Sequence, residues 1–125
     1  MKFSFSKFFK SFGYAIKGVA EVFCREQNFK VHTLMGFLAI LLGCLFQIAL
    51  WEWCFLALVI ALVLAAEMVN TALEHLCNIT HPEQNETVRV IKDVSAGMVL
   101  VCALGALVVG IVIFLPKVIA FLQNL

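Results

Sequence analysis

Apolar residues dominate three long stretches of the chain, at 31–50, 53–76 and 94–115. About 20 mostly apolar residues in a helix are enough to cross a bilayer. The second stretch is apolar to about Val69 and continues with helical periodicity beyond it, and the third ends at Pro116. The pattern therefore predicts three membrane helices over these ranges, the first two joined by a turn at 51–53.

The first thirty residues follow a different pattern, in which apolar side chains recur at steps of three and four. The apolar set is Phe5, Phe8, Phe9, Phe12, Ile16, Val19, Ala20 and Phe23. The opposing face carries Lys7, Lys10, Tyr14, Lys17, Glu21 and Arg25. This arrangement predicts an amphipathic helix within 1–30 that lies in the lipid interface. A soluble helix on the surface of a partner protein is the alternative.

Composition supports a single, small, all-α membrane domain over 1–125. The chain is 63% hydrophobic and 14% charged, with a mean hydropathy of +1.03. Soluble domains are about 45–50% apolar and about 25% charged, so that class is excluded, as is a disordered chain. The five cysteines are scattered without a C-x-x-C pair, and we expect neither a disulfide framework nor a zinc site.

The basic residues are concentrated at one end, because six of the nine lie in the first thirty positions. Basic residues beside apolar spans mark the cytoplasmic side, and nothing in this pattern indicates a nucleic-acid partner. We therefore expect a cytoplasmic N-terminus, a cytoplasmic loop at 77–92 and an external C-terminus. Lys117 is the exception to this bias.

The second span carries four aligned polar residues: Glu67, Asn70, Glu74 and Asn78. At 100° per residue they fall within about 80° of one another around a helix. Glu67 lies near the expected cytoplasmic boundary, where an ionisable group is costly and is a functional candidate. The alternative is that Glu67 extends to the headgroups while the other three only hold helices together.

Further acidic and basic groups converge on the same boundary. Glu26 ends the first helical segment, and Lys92 and Asp93 precede the third span. Two carboxylates from different helices suit Mg²⁺, which prefers oxygen ligands, and a third suits removal of a proton from a hydroxyl. The histidines at 32, 75 and 81 are interpreted as polar boundary residues, and Glu52 as a solvated turn residue. The phosphate-binding loop and protein-kinase signatures are absent.

The chain resembles the bacterial integral-membrane lipid kinases of the diacylglycerol kinase/undecaprenol kinase family along nearly its whole length. The resemblance rests on Gly13-Tyr14, Lys17-Gly18, Glu26 with Asn28-Phe29-Lys30, Glu67-x-x-Asn70-x-Ala72-x-Glu74 and Lys92-Asp93. It implies a homotrimer in the bacterial plasma membrane, with active sites shared between subunits. ATP with Mg²⁺ would approach from the cytoplasm, and the acceptor would be a lipid alcohol, undecaprenol or diacylglycerol.

The resemblance also implies roles for individual residues. Glu67 matches the catalytic base and, with Asn70, a contact to the lipid substrate, while Glu26 and Glu74 match the Mg²⁺ ligands. The positions that match nucleotide contacts are Lys7, Tyr14, Glu26, Glu74, Glu83, Gln84, Asn85, Lys92 and Asp93.

Two positions depart from the family pattern. Asn78 replaces the usual aspartate, and Lys7 replaces a common arginine, which keeps the charge but loses a bidentate fork. The main alternative to a kinase is a small non-enzymatic membrane subunit in which Glu67 and Glu74 relay protons or bind ions. A third interpretation, raised by Asn78, is a catalytically inactive relative.

Overall fold

The protein consists of four α-helices in a computed structural model that describes residues 2–83 and 85–125. They are α1 (Phe5–Arg25), α2 (Gln27–Leu45), α3 (Leu50–Thr80) and α4 (Glu86–Gln123). The predicted all-helical class is confirmed. By length and composition, α2, α3 and α4 are each able to cross a membrane.

A single residue separates α1 from α2. Glu26 has extended backbone angles (φ −98°, ψ 115°), and its N–H closes α1 by donating to the Val22 carbonyl at 2.8 Å. Phe29, only 3% exposed, packs edge-on against Phe23 across this junction. The junction therefore holds the Glu26 backbone at a fixed place between the two helices.

The turn between α2 and α3 lies earlier than the sequence indicated. α2 ends at Leu45 rather than at residue 50, and Gln47 in the following turn has a positive φ of 48°. The prediction of a turn at 51–53 is wrong, because α3 already begins at Leu50. Its start is stabilised by the Glu52 carboxylate, which accepts a 2.8 Å hydrogen bond from the Ala49 N–H.

The last helix continues through Pro116 to Gln123, beyond its predicted end at residue 115. Proline has no N–H to donate, so the Val112 carbonyl one turn earlier loses its usual partner within the helix, a loss that membrane helices tolerate. The neighbouring Lys117 Nζ donates to the Ile113 carbonyl at 3.1 Å and to Glu52 Oε1 at 2.6 Å. Glu52 is thus a buried, ion-paired residue, and the interpretation as a solvated turn residue is wrong.

α3 lies at the centre of the molecule, packing most extensively on α4, then on α2, and touching α1. Near the Glu52 end, Ile48, Leu56 and Ile113 form a buried cluster. Helices α3 and α4, with 31 and 38 residues, are about 46 and 57 Å long at 1.5 Å per residue. Both lengths exceed the hydrocarbon thickness of about 30 Å, so each helix is longer than is needed to cross that layer.

Candidate active site

The predicted site residues gather at the end of α3 that is distant from Glu52. Glu67 lies fifteen residues further along the helix, about 22 Å away at 1.5 Å per residue. At this level Glu67 contacts His32 near the start of α2, and α3 also contacts Ser95 and Lys92 near the start of α4. The site is therefore formed by groups from three helices.

Glu67 is the most buried of these groups, with only 3% of its surface exposed. Its Oε1 lies 3.2 Å from Nε2 of His32 on α2. A carboxyl group withdrawn from water requires a polar partner, and His32 provides one from the neighbouring helix.

Asn70 and Asn78 contact α4 instead of α2. Ser95, itself 4% exposed, donates its hydroxyl hydrogen to Asn70 Oδ1. Fourteen residues separate Asn78 from Lys92, whose Nζ donates to Asn78 Oδ1 at 2.8 Å. The polar line predicted on α3 therefore connects that helix to both of its neighbours.

Glu26 and Glu74 are partly exposed, and within residues 2–83 and 85–125 neither forms an ion pair. No group of three or more His, Cys, Asp or Glu side chains able to hold a metal occurs in the part of the chain that the structure describes. Mg²⁺ in phosphoryl-transfer sites commonly takes only one or two carboxylates and completes its shell with water and phosphate oxygens. Glu26 and Glu74, neither of which is ion-paired, are chemically suited to that kind of site.

Asp93 is held by a residue that the sequence did not single out. Arg89 donates to Asp93 Oδ2 at 2.7 Å and also to the Glu86 carboxylate, one turn earlier on α4. Arg89, Lys92 and Asp93, together with Val88, line a surface cavity of about 120 Å³. The start of α4 therefore carries basic and acidic side chains next to one another.

The other predicted nucleotide contacts lie further out. Asn85 Oδ1 accepts from the Val88 N–H at 2.8 Å and so caps α4, and Glu83 is exposed just before it. Gln84 lies outside the described residues. Lys7 and Tyr14 are exposed on α1, and Lys7 precedes Glu26 by nineteen residues, about 28 Å along a straight helix. No hydrogen bond or ion pair joins either of them to Glu67, Glu74 or Lys92 within the described residues.

Comparison with known proteins identifies the family. The profile of the family described as prokaryotic diacylglycerol kinase matches residues 13–114, which is most of the chain. The chain belongs to this family. It is a lipid kinase and a membrane protein, and the family implies ATP as the phosphoryl donor. This confirms the resemblance, and it does not favour the non-enzymatic interpretation.

Two curated relatives of the kinase extend this finding. An undecaprenol kinase from Bacillus subtilis is 33% identical over 112 residues, which cover 90% of this chain and 91% of the relative. A diacylglycerol kinase from Synechocystis sp. is 34% identical over 113 residues, covering 90% of this chain and 65% of that longer relative.

Sequence reasoning missed three residues that the structure of the kinase brings to the site: His32, Ser95 and Arg89. His32 and Ser95 were each the second residue of a predicted span, 31–50 and 94–115. With the expected orientation, both lay near the same cytoplasmic boundary as Glu67. Their shared depth with Glu67 was a feature of the sequence from which His32 and Ser95 could have been identified. For Arg89 the feature is its helical spacing of three residues from Glu86 and four from Asp93.

Proposed function

We propose that the kinase transfers the γ-phosphoryl group of Mg-ATP to the hydroxyl of a membrane lipid alcohol, undecaprenol or diacylglycerol. The observation that carries this proposal is the buried Glu67 carboxyl, whose Oε1 lies 3.2 Å from Nε2 of His32. The names of the two curated relatives support these two lipids as acceptors.

Glu67 acts as the general base in this proposal. Its place on α3, near the expected hydrocarbon boundary, is the depth at which the hydroxyl of a membrane lipid lies. The carboxylate accepts the hydroxyl proton while the lipid oxygen attacks the γ-phosphorus. Asn70, oriented by the Ser95 hydroxyl, is the polar group next along α3 that contacts the acceptor.

Glu26 and Glu74 are the residues that would hold Mg²⁺. The ion, when bound, neutralises charge on the β- and γ-phosphates. Lys92, held by Asn78 at 2.8 Å, offsets the negative charge that develops during transfer. In this proposal the nucleotide is contacted by Glu26, Glu74 and Asp93, and also by Glu83, Gln84 and Asn85.

A homotrimer with shared sites is part of the proposal. Lys7 and Tyr14 match nucleotide contacts by resemblance, yet both are exposed on α1 and distant from Glu26 along that helix. A nucleotide that bridges neighbouring subunits would bring these residues to one site. Large apolar side chains are also exposed along α2, α3 and α4, where lipid and neighbouring helices would cover them.

The same proposal places the N-terminus in the cytoplasm and the C-terminus outside the bacterial plasma membrane. The concentration of basic residues before position 31 supports this orientation. The alternating apolar and charged positions of α1 support an amphipathic helix that lies in the cytoplasmic interface.

The test is transfer of labelled γ-phosphate to lipid by the purified kinase in mixed micelles. Undecaprenol and diacylglycerol are supplied side by side, each with Mg²⁺ and with EDTA in its place. We expect labelled lipid phosphate from at least one alcohol and none in EDTA. ATP consumption without labelled lipid, or transfer unaffected by EDTA, would contradict the proposal.

A further inference from the structure

We propose that His32 is a positioning residue for Glu67 and that it does so by donating its Nε2–H to Oε1 of that carboxylate. This inference rests on the proposed role of Glu67 as the base. The geometry points to it, because Nε2 and Oε1 are 3.2 Å apart, within hydrogen-bonding distance.

The contact with His32 matters because the Glu67 carboxyl is buried. The Glu67 side chain is 4% exposed and that of His32 is 26% exposed, so water has little access to the carboxyl. Within residues 2–83 and 85–125, no lysine or arginine forms an ion pair with Glu67. His32 is therefore the group that favours one orientation of this side chain.

His32 lies in the second turn of α2, close to the α1–α2 junction. It lies six residues after Glu26 and next to Thr33, whose hydroxyl donates to the Phe29 carbonyl at 2.8 Å. Phe29 is buried against the α1–α2 junction. The imidazole thus reaches Glu67 from the same short segment that carries Glu26, which ties the orientation of the base to the position of a proposed Mg²⁺ ligand.

The two oxygens of the Glu67 carboxylate then have different roles. With Oε1 engaged by His32, Oε2 is left to take the proton from the lipid hydroxyl. The lipid oxygen then bonds to the γ-phosphorus, and the bond from that phosphorus to the β–γ bridging oxygen breaks, leaving ADP with the electron pair. His32 needs only an N–H for this role, so no charge on the imidazole is required.

The test compares two amides of different length at position 32. In His32→Gln the amide nitrogen reaches the former place of Nε2, whereas in His32→Asn it falls short. Because misplacing a reacting group by about 1 Å costs up to about 100-fold in rate, we expect His32→Asn to lower kcat about 10- to 100-fold. His32→Gln should stay within about threefold of the parent, and KM for Mg-ATP should change less than about twofold in both.

His75→Gln is the matched control, because His75 is an exposed histidine on α3 and should leave turnover unchanged. Equal, near-parental kcat for His32→Asn and His32→Gln would overturn the inference. So would equal losses in both, because a merely structural histidine would not be rescued by the longer amide.

The Glu67→Gln variant distinguishes a failure of this inference about His32 from a failure of the proposed role of Glu67 as the base. Near-normal turnover of Glu67→Gln would overturn the base assignment, and the role of His32 with it. If Glu67→Gln loses turnover as proposed, adding His32→Asn should lower the residual rate no further, because there is no base left to position. A further loss equal to that of His32→Asn alone would show that His32 acts independently of Glu67.

Discussion

Lys92 contacts the side chain of residue 78, so the identity of that residue changes the net charge of the site. The Lys92 ammonium group donates to the Asn78 amide oxygen at 2.8 Å, although the family resemblance leads one to expect an aspartate there. A neutral amide oxygen and a carboxylate oxygen both accept from an ammonium group, and the carboxylate does so more strongly. The Asn78 side chain therefore accepts from Lys92 without adding a negative charge to the site.

Asn78→Asp should consequently change turnover only modestly. An exposed ion pair adds at most about 1 kcal/mol, so we expect less than about a fivefold change in kcat/KM for Mg-ATP. Asn78→Leu, which removes the acceptor, should lower turnover more than Asn78→Asp changes it. Steady-state phosphorylation of the lipid checks both. Turnover that appears only in Asn78→Asp would show instead that the chain is an inactive relative.

The alignment of the polar residues along α3 could be predicted from the sequence, but the residues that they contact on other helices could not. Helical periodicity was enough to align Glu67, Asn70, Glu74 and Asn78, because it depends only on spacing within one helix. Their partners, among them His32 and Ser95, lie on other helices. That pairing depends on how the helices pack, which the spacing within one segment does not encode.

The helical elements could be predicted from the apolar runs, whereas their ends could not. α3 begins at Leu50 because Glu52 satisfies the Ala49 N–H, although alanine is a poor residue for starting a helix. α4 continues past Pro116, where a helix end was expected. At the start of α3 the Glu52 carboxylate satisfies a backbone N–H that local propensity leaves unpaired, and just after Pro116 the ion pair between Lys117 and Glu52 joins α4 to α3.

Close packing between α2 and α3 depends on the absence of a side chain at Gly43. A Cβ atom built there would lie 2.7 Å from Cη2 of Trp53, a rigid ring that is partly buried at the start of α3. We expect Gly43→Ala to destabilise the fold by about 1–3 kcal/mol, the usual cost of overpacking. Thermal unfolding in detergent measures the change.

Gly18→Ala is the matched control for this prediction. Gly18 lies within α1, and a Cβ atom built there meets no atom within 4 Å. Because alanine favours helices over glycine, this change should be neutral or slightly stabilising. Equal effects of the two substitutions would show that Gly43 is not a packing constraint.

At the scale of the whole molecule, a single chain leaves much of its apolar surface uncovered. On α4 the exposed apolar side chains include Leu100, Val101, Leu104, Leu107 and Val108. A Cβ atom built at Gly97, Gly105 or Gly110 of the same helix also meets nothing within 4 Å, so these positions are open to close approach by another helix. Both features support association of chains within the membrane.

The proposed homotrimer predicts a specific mass. Native mass spectrometry of the active kinase released from detergent should give three times the chain mass of 13.9 kDa, apart from bound lipid. The inactive Glu67→Gln variant should give the same value, because Glu67 contacts α2 of its own chain. A fully active species at one chain mass would contradict shared sites.

The most direct test of the account is lipid phosphorylation by Glu67→Gln, with Glu52→Gln as the control carboxylate on the same helix. Both side chains are buried, but Glu52 lies about 22 Å along α3 from the proposed base. Loss of a general base typically costs 10²- to 10⁴-fold, so we predict a fall in kcat of at least about 100-fold for Glu67→Gln. Glu52→Gln should retain the parental rate per folded molecule. Near-parental transfer by a folded Glu67→Gln protein would contradict the central claim.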